Sequence, residues 1–365
     1  MKVHITLVGG QPAPVYHGIV ATQPDKIVFF YSDGSRVSAE RLSKEVKSIP
    51  SERRKMDPVA LNDIEKKVAQ CAKDFKDDEV SVNISSGTKP WAFYFAKIFG
   101  TMPNATLFYV DQNNTLWNLT DKTSRRVESD MDAQFRLMGN EMVSFVRFED
   151  YTDEDKRTLA AIVELFQFSP SNMYRLVSEA KSKTHLTEHV IKNGSYIKWG
   201  KISKQFDVRL VKGGKEMRKA LKSVHVREML LKASWFEYQV ASILRKWDRA
   251  GAIRLNCIFP YQDSAAKNEI DILVETREKL LFVECKTQIE DNTDIDKFAS
   301  AVRNYGGMGS KALFVTAGKM SGKAIEKCKD NGILTFSLQD EHLGMTADKA
   351  LAMLLDSELF NINTK

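Results

Sequence analysis

Asn268-Glu-Ile-Asp-Ile-Leu-Val274 is followed, after a short polar break, by Leu280-Leu-Phe-Val-Glu-Cys-Lys286. Both runs have strand length and β-branched or aromatic apolar character, and each carries charge inside it. Side chains alternate between faces along a strand, so Glu284 and Lys286 share one face while Cys285 points the other way, into the core. Carboxylates and a lysine at the ends of buried strands cost desolvation unless they are paired or hold a metal. Two carboxylates on adjacent strands, Asp271 and Glu284, suit a hard divalent cation such as Mg²⁺ or Mn²⁺. A lysine beside that cation, Lys286, can orient an attacking water or offset charge building on a phosphate. Upstream, the pattern predicts a long helix over Val224–Trp247, whose Glu237 can add a ligand or hold a water. An isolated E-x-K is common in strands and is most simply an ion pair. The ordered set of Glu237, Asp271, Glu284 and Lys286 is a stronger signal, and these four are the catalytic candidates.

Around this stretch the last third reads as an α/β unit. Strands are expected at Ile253–Tyr261, Glu269–Glu275, Leu280–Lys286, Ala312–Thr316 and Ile333–Phe336, with helices at Asp294–Tyr305 and Ser321–Asp330. The first 150 residues alternate strand and helix patterns. Strands are expected at Val3–Val8, Lys26–Tyr31, Val46–Ile49, Glu79–Ile84 and Ala105–Val110, with helices at Pro58–Phe75 and Lys89–Phe99. That order predicts a parallel, doubly wound sheet. Open parallel sheets bind ligands at the C-terminal ends of their strands, and two loops lie there: Gly9-Gly-Gln-Pro12 and Ser85-Ser-Gly-Thr-Lys-Pro90. Small residues, hydroxyls and a lysine at a helix start suit a phosphate. The dinucleotide and Walker A spacings are missing, and tight turns with helix caps would account for both loops equally well.

Of 365 residues, 54 are Lys or Arg and 48 Asp or Glu, a net charge of +6. Residues 1–150 carry 20 basic and 20 acidic residues, as do residues 221–365, so the whole excess falls in residues 151–220, with 14 and 8. This basic middle, with expected helices at Thr152–Phe168 and Ser171–Lys181 and a hairpin around Ser195–Lys204, reads as a linker or insertion. Its Tyr174, Tyr196, Trp199 and Phe206 either stack on splayed bases or form a small local core. His225 reads as a packing or surface residue. Cys71, Cys257, Cys285 and Cys328 are widely spaced with no C-x-x-C pair, which argues against a disulfide framework or zinc knuckle and favours a reducing cytoplasm. No run approaches the roughly 18 apolar residues of a membrane span, and the start, MKVHITLVGG, reads as a strand rather than a secretory signal.

The order helix Glu237, Asp271, then Glu284-Cys-Lys286 resembles the PD-(D/E)xK nuclease superfamily, with Ile270 where the motif's proline would stand. Asn83-Ile-Ser-Ser-Gly-Thr-Lys89 resembles the N-x-T-G-G-T-K-like loop of CARF domains (CRISPR-associated Rossmann folds). Pro24-Asp-Lys-Ile-Val-Phe-Phe-Tyr-Ser32 resembles their second strand. Together they resemble the ancillary CARF nucleases of type III CRISPR systems. The resemblance implies a Rossmann-like sensor over 1–150, a basic linker over 151–220 and a restriction-endonuclease-like domain over 221–365. It also implies a homodimer that binds a cyclic oligoadenylate, mostly cyclic tetra-adenylate, and a metal-dependent nuclease that cuts DNA, RNA or both. Gly10, Gln11, Ser32, Ser85, Ser86, Gly87, Thr88 and Lys89 would line the activator. Two other readings fit the residues: a DNA-recognising restriction or repair nuclease without such gating, and a non-catalytic nucleotide sensor.

Overall fold

The computed structural model describes residues 1–128, 130–181, 187–200, 204–260, 268–276, 278–287, 293–307, 310–342 and 344–362. The first sheet is built by β1 (Lys2–Val8), α1 (Ala13–Thr22), β2 (Lys26–Tyr31), α2 (Arg36–Glu45), β3 (Ser51–Lys55), α3 (Leu61–Asp74), β4 (Glu79–Asn83), α4 (Lys89–Phe99), β5 (Ala105–Val110), β6 (Thr115–Asn118) and β7 (Thr123–Arg126). Its order is β3-β2-β1-β4-β5-β6-β7. The first five strands are parallel, and β6 and β7 close the edge as an antiparallel meander. Val3, Ile5, Leu7, Val28, Phe30, Val80 and Val82 pack against α3 and α4, while Val8, Ile27 and Phe29 pack against α1 and α2. Burial on both faces is what a parallel sheet requires.

Two expectations for this part need correction. The third strand is the polar Ser51–Lys55, because it is an edge paired only to β2; Val46 instead ends α2 and Ile49 lies in the turn that follows. Pro58 lies outside α3, whose first residue is Leu61.

The chain crosses between the halves through α5 (Met131–Met138) and β8 (Ser144–Arg147). The basic middle is α6 (Asp153–Phe168), α7 (Pro170–Lys181), β9 (Glu188–Val190), β10 (Tyr196–Trp199), β11 (Gln205–Lys212) and β12 (Lys215–Lys222), the strands forming an antiparallel sheet in the order β12-β11-β10-β9. Residues 201–203 of the expected hairpin lie outside the described residues. The segment is no loose linker. Trp199 and Phe206 are buried in one continuous core with Leu176, Ile197 and residues of the C-terminal half such as Trp235 and Tyr238. His225 joins Asp155 at 3.1 Å and leans on Tyr151, a structural tie.

The last part runs α8 (Val226–Leu231), α9 (Ser234–Leu244), β13 (Ile253–Phe259), β14 (Asn268–Glu275), β15 (Leu280–Lys286), α10 (Thr293–Tyr305), β16 (Lys311–Thr316), α11 (Gly322–Asp330), β17 (Ile333–Ser337) and α12 (Ala347–Phe360). The expected single helix over Val224–Trp247 is therefore two, broken where Ala233 takes a left-handed φ of 65°. The sheet order is β17-β16-β15-β14-β13-β8. Its edge strand β8 thus comes from before residue 150. Tyr261, the expected end of β13, lies outside the described residues.

Candidate active site and sensor pocket

β14 and β15 pair antiparallel from Glu275↔Leu280 to Ile272↔Val283, and there the ladder stops. On the other side of β14, β13 turns irregular at Asn256, which has φ 50°, and its register with β8 shifts. Such irregularities re-aim side chains and are common beside active sites. Where the two strands part, the Asp271 carboxylate accepts the Cys285 backbone N–H at 2.7 Å. The side chain thus stands in for the missing ladder partner. Cys285 is buried toward α9, as alternation demands, and its neighbours Glu284 and Lys286 pair with each other at 2.5 Å. Glu237, in the first turn of α9, completes the group. Its Oε2 is buried without a hydrogen-bond partner among the described residues.

The four side chains are coupled electrostatically. Burial first, then the Asp271 charge, pushes Glu237 up to about 9. Burial raises Asp271 to about 6 even though Lys286 and the Cys285 N–H pull it down. Glu284 goes up to about 8 from burial and its proximity to Asp271. Burial works against the charge of Lys286, but Asp271 and Glu284 outweigh it and hold the ammonium above its ordinary value. Two further carboxylates reach the group. Asp294, in the first turn of α10, acts on Asp271, Glu284 and Lys286, and Glu269 acts on Glu237 and Asp271. Sequence reasoning missed both; the acidic start of the Asp294 helix was the available signal.

Two of the three half-buried carboxylates, Glu237 and Glu284, hold protons at neutral pH that a cation would displace, and Glu237 Oε2, without a hydrogen-bond partner among the described residues, is open to it. The donor set is hard oxygen, which fits Mg²⁺ or Mn²⁺. Among the described residues no three His, Cys, Asp or Glu side chains converge as a ready cage. That suits an ion held by Asp271 and Glu284, with water and a substrate phosphate filling the other positions, as Mg²⁺ commonly is.

In the first sheet the strand order reverses between β1 and β4, and the two predicted loops meet at that crevice. The Gly9 N–H donates to Ser86 Oγ at 3.0 Å. A Cβ on Gly9 would lie 2.7 Å from the Gly87 nitrogen, so glycine is required for the approach. Ser85 donates its hydroxyl to Asn83 and accepts the Val110 N–H at 2.7 Å. Thr88 caps α4 and donates to the Pro58 carbonyl at 2.8 Å. Gly10, Gln11 and Ser85 line a cavity of about 250 Å³, whereas Ser32, Ser86, Gly87, Thr88 and Lys89 are not among its lining residues. The opposite lining comes from the other half of the chain: Glu278, Lys279 and Leu280 of the β14–β15 turn, with Gly306 and Gly307 after α10.

The halves are tied at this junction. Asn114 Nδ2 donates to the Glu278 carbonyl at 3.4 Å, Arg126 pairs with the Glu278 carboxylate, and the Met131 N–H donates to Glu275 at 2.8 Å. Asp132 and Arg254 pair at 2.7 Å.

The family model of the Card1 CARF domain matches residues 3–137, and that of the Card1-like endonuclease domain matches residues 224–353. No curated protein matches the chain by sequence. Among solved structures, Can2 from Sulfobacillus thermosulfidooxidans in complex with cyclic tetra-adenylate is similar at a TM-score of 0.70 and 16% identity, over 98% of this chain and 99% of that one. VC1899 from Vibrio cholerae is similar at 0.75 and 15%, over 98% of both chains. A type III CRISPR defence DNA nuclease activated by cyclic oligoadenylate is similar at 0.61 and 17%, over 96% of this chain and 51% of its own. At these identities the shared property is the fold, and it extends through the basic middle that neither family model covers.

Proposed function

From a chain that belongs to the CARF nucleases of type III CRISPR defence, with a Card1 CARF domain followed by a Card1-like endonuclease domain, we propose a metal-dependent endonuclease switched on by a cyclic oligoadenylate. The observation that carries the proposal is the parting of β14 and β15 at Asp271. It leaves Asp271, Glu284, Lys286 and Glu237 as one half-buried, electrostatically coupled group where the ladder between the two central strands ends.

Asp271 and Glu284 would hold Mg²⁺ or Mn²⁺, which when bound supplies charge neutralisation at a phosphodiester and an acidified water. The chain's own residues do the rest. Lys286, kept protonated by its two carboxylate neighbours, faces the position where charge builds on the phosphate. Glu237, raised to about 9, is a proton holder whose state follows the charge placed beside it. The Cys285 N–H fixes one Asp271 oxygen, so the carboxylate does not swing when substrate arrives.

For the activator we propose cyclic tetra-adenylate, shared by two protomers. The cavity of about 250 Å³ is below the roughly 300–1,000 Å³ that hold drug-sized molecules, so one protomer takes only part of a ring. A two-fold dimer presents the same cavity twice to a two-fold ligand. Gly10, Gln11 and Ser85 would touch it directly, and Ser32 and Ser86 to Lys89 would act by shaping the crevice or at the dimer seam. Glu278 to Leu280 line the same cavity and form the turn of the hairpin that bears Asp271 and Glu284. A ring pressing on that turn would therefore act on the strands of the active site.

The test is a cutting assay with Mn²⁺ on single-stranded and supercoiled DNA and on RNA, with and without cyclic tetra- and hexa-adenylate. Cutting should need both metal and ring, and Asp271→Ala should abolish it while ring binding persists. Equal rates without any ring would refute the gating, and full activity in Asp271→Ala would refute the site.

A further inference from the structure

A second cleft, of about 710 Å³, opens between α6 and α7 of the basic middle and the C-terminal ends of β15, β16 and β17. It opens on the α9 side of the sheet that carries the catalytic group. Thr287 follows Lys286 on leaving β15, and Trp235 and Gln239 stand two residues either side of Glu237 on α9. One part of its wall is aromatic. Phe166 stacks on Trp235 with centroids 4.6 Å apart and meets Tyr174 edge-on at 4.9 Å. The rest is polar and unspent. Gln167, Gln239 and Gln339 come from three separate elements, and among the described residues none of their side-chain amides makes a hydrogen bond. Lys319 at the rim is exposed and has no ion pair among the described residues.

Gln167 and Gln339 are exposed and Gln239 is half-buried, and among the described residues the fold uses none of their side-chain amides. An amide presents a donor and an acceptor side by side, the arrangement that pairs two-point with a base edge. Phe166 and Trp235 are buried and spend their faces on each other, so the half-buried Tyr174 is the ring that offers a base a face, and the volume is that of an ordinary ligand cleft. We propose that this cleft receives one unstacked nucleobase of the strand being cut, beside the scissile phosphate, with Gln239 and Gln339 reading its edge and Lys319 meeting a neighbouring phosphate. A base inside a duplex is stacked and paired, so the strand must be open or opened at that position. The inference rests on the nuclease reading above, and adds to it a substrate subsite on the middle segment.

The test scans a single abasic residue through short single-stranded DNA and RNA oligonucleotides, one position at a time. With Mn²⁺ and cyclic tetra-adenylate, one position next to the cut should lose at least tenfold in kcat/KM, at the same place in both series. Rates for the four bases at that position should differ in the wild type and fall within twofold of one another in Gln239→Ala/Gln339→Ala. Gln339 is exposed, so Gln339→Ala alone keeps the question answerable if the double variant does not fold. A parallel binding measurement uses Asp271→Ala, which needs no cutting. Fluorescence anisotropy should find the abasic oligonucleotide bound at least fivefold more weakly than the intact one, with the difference lost when Gln239 and Gln339 are also replaced. No position costing more than twofold in either assay would overturn the base subsite. Absence of cutting with the binding difference intact would instead sink the nuclease reading and leave the subsite standing.

Discussion

Glu237 is half-buried beside Asp271, Glu284 and Lys286, and with its carboxyl raised to about 9 it carries a proton at neutral pH when no metal is bound. The unfolded carboxyl titrates near 4.5. Between those values the folded protein binds more protons than the unfolded one, so this group's contribution to stability falls as pH rises. Glu284, raised to about 8, and Asp271, raised to about 6, act in the same direction. Glu237→Gln should therefore stabilise the metal-free protein at pH 8 by on the order of 1 kcal/mol or more, and thermal melts from pH 5 to 9 should flatten. A variant that melts lower than the wild type at pH 8 would contradict the assignment. The same protons must leave when a cation arrives. Mg²⁺ binding at pH 7, followed by calorimetry in buffers of different ionisation enthalpy, should release protons, and Asp271→Ala should remove that release. Asp271, Glu284 and Lys286 stood out as candidates in the sequence because each interrupts an apolar strand and the three come in order after Glu237, although an E-x-K alone reads as an ion pair. Asp294 and Glu269 were not, because an acidic helix start and a strand-end glutamate are ordinary on their own.

The β14–β15 hairpin is the element that joins the two chemistries. Its turn lines the sensor cavity and its far ends hold Asp271 and Glu284. The Arg126–Glu278 pair fastens that turn to β7 of the sensor half, and Glu278 is only 9% exposed in its side chain. Arg126→Ala leaves this carboxylate unpartnered without touching the cavity lining. The activation by a saturating ring should drop on the order of two- to thirtyfold, the usual span of a coupling residue, while ring affinity measured by calorimetry holds. Unchanged activation would mean that the turn is not the route. Ala233 is a second element-scale case. A non-glycine residue at φ 65° costs roughly 1–2 kcal/mol, so Ala233→Gly should raise the unfolding midpoint. The helix pattern on either side of Ala233 is unbroken, and nothing local in the sequence marks the break.

At the scale of the whole molecule, the +6 charge lies in a segment that shares its core with the endonuclease half. Lys198, Arg209, Arg218 and Lys219 are tied in ion pairs with Glu188, Glu216, Asp207 and Glu164. Lys192, Lys204 and Lys215 have no ion pair among the described residues. These three, like Arg157, Lys181 and Lys212 of the same segment, are cations available to a nucleic-acid backbone. Replacing all three by Gln should weaken oligonucleotide binding and reduce its salt slope by up to about 2, at about 0.7 per phosphate of a single strand. Ring affinity should not move. An unchanged slope would place the backbone contacts elsewhere. Sedimentation velocity should find a dimer, tightened by the ring that two protomers share.

The sequence by itself determined the doubly wound sensor sheet, the loops at its crevice and the order of Glu237, Asp271 and Glu284-Cys-Lys286. Strand alternation and apolar runs are local signals, and a charge set within such a run stands out from its neighbours. Only the tertiary structure decided where β14 and β15 part, that the endonuclease turn closes the sensor cavity, and that Trp199 and Phe206 are core while Tyr174 faces a cleft. Those outcomes depend on which surfaces meet in three dimensions, for the cavity across more than a hundred residues of chain. Burial, desolvation and the shared electrostatics of four side chains exist only once distant elements have packed.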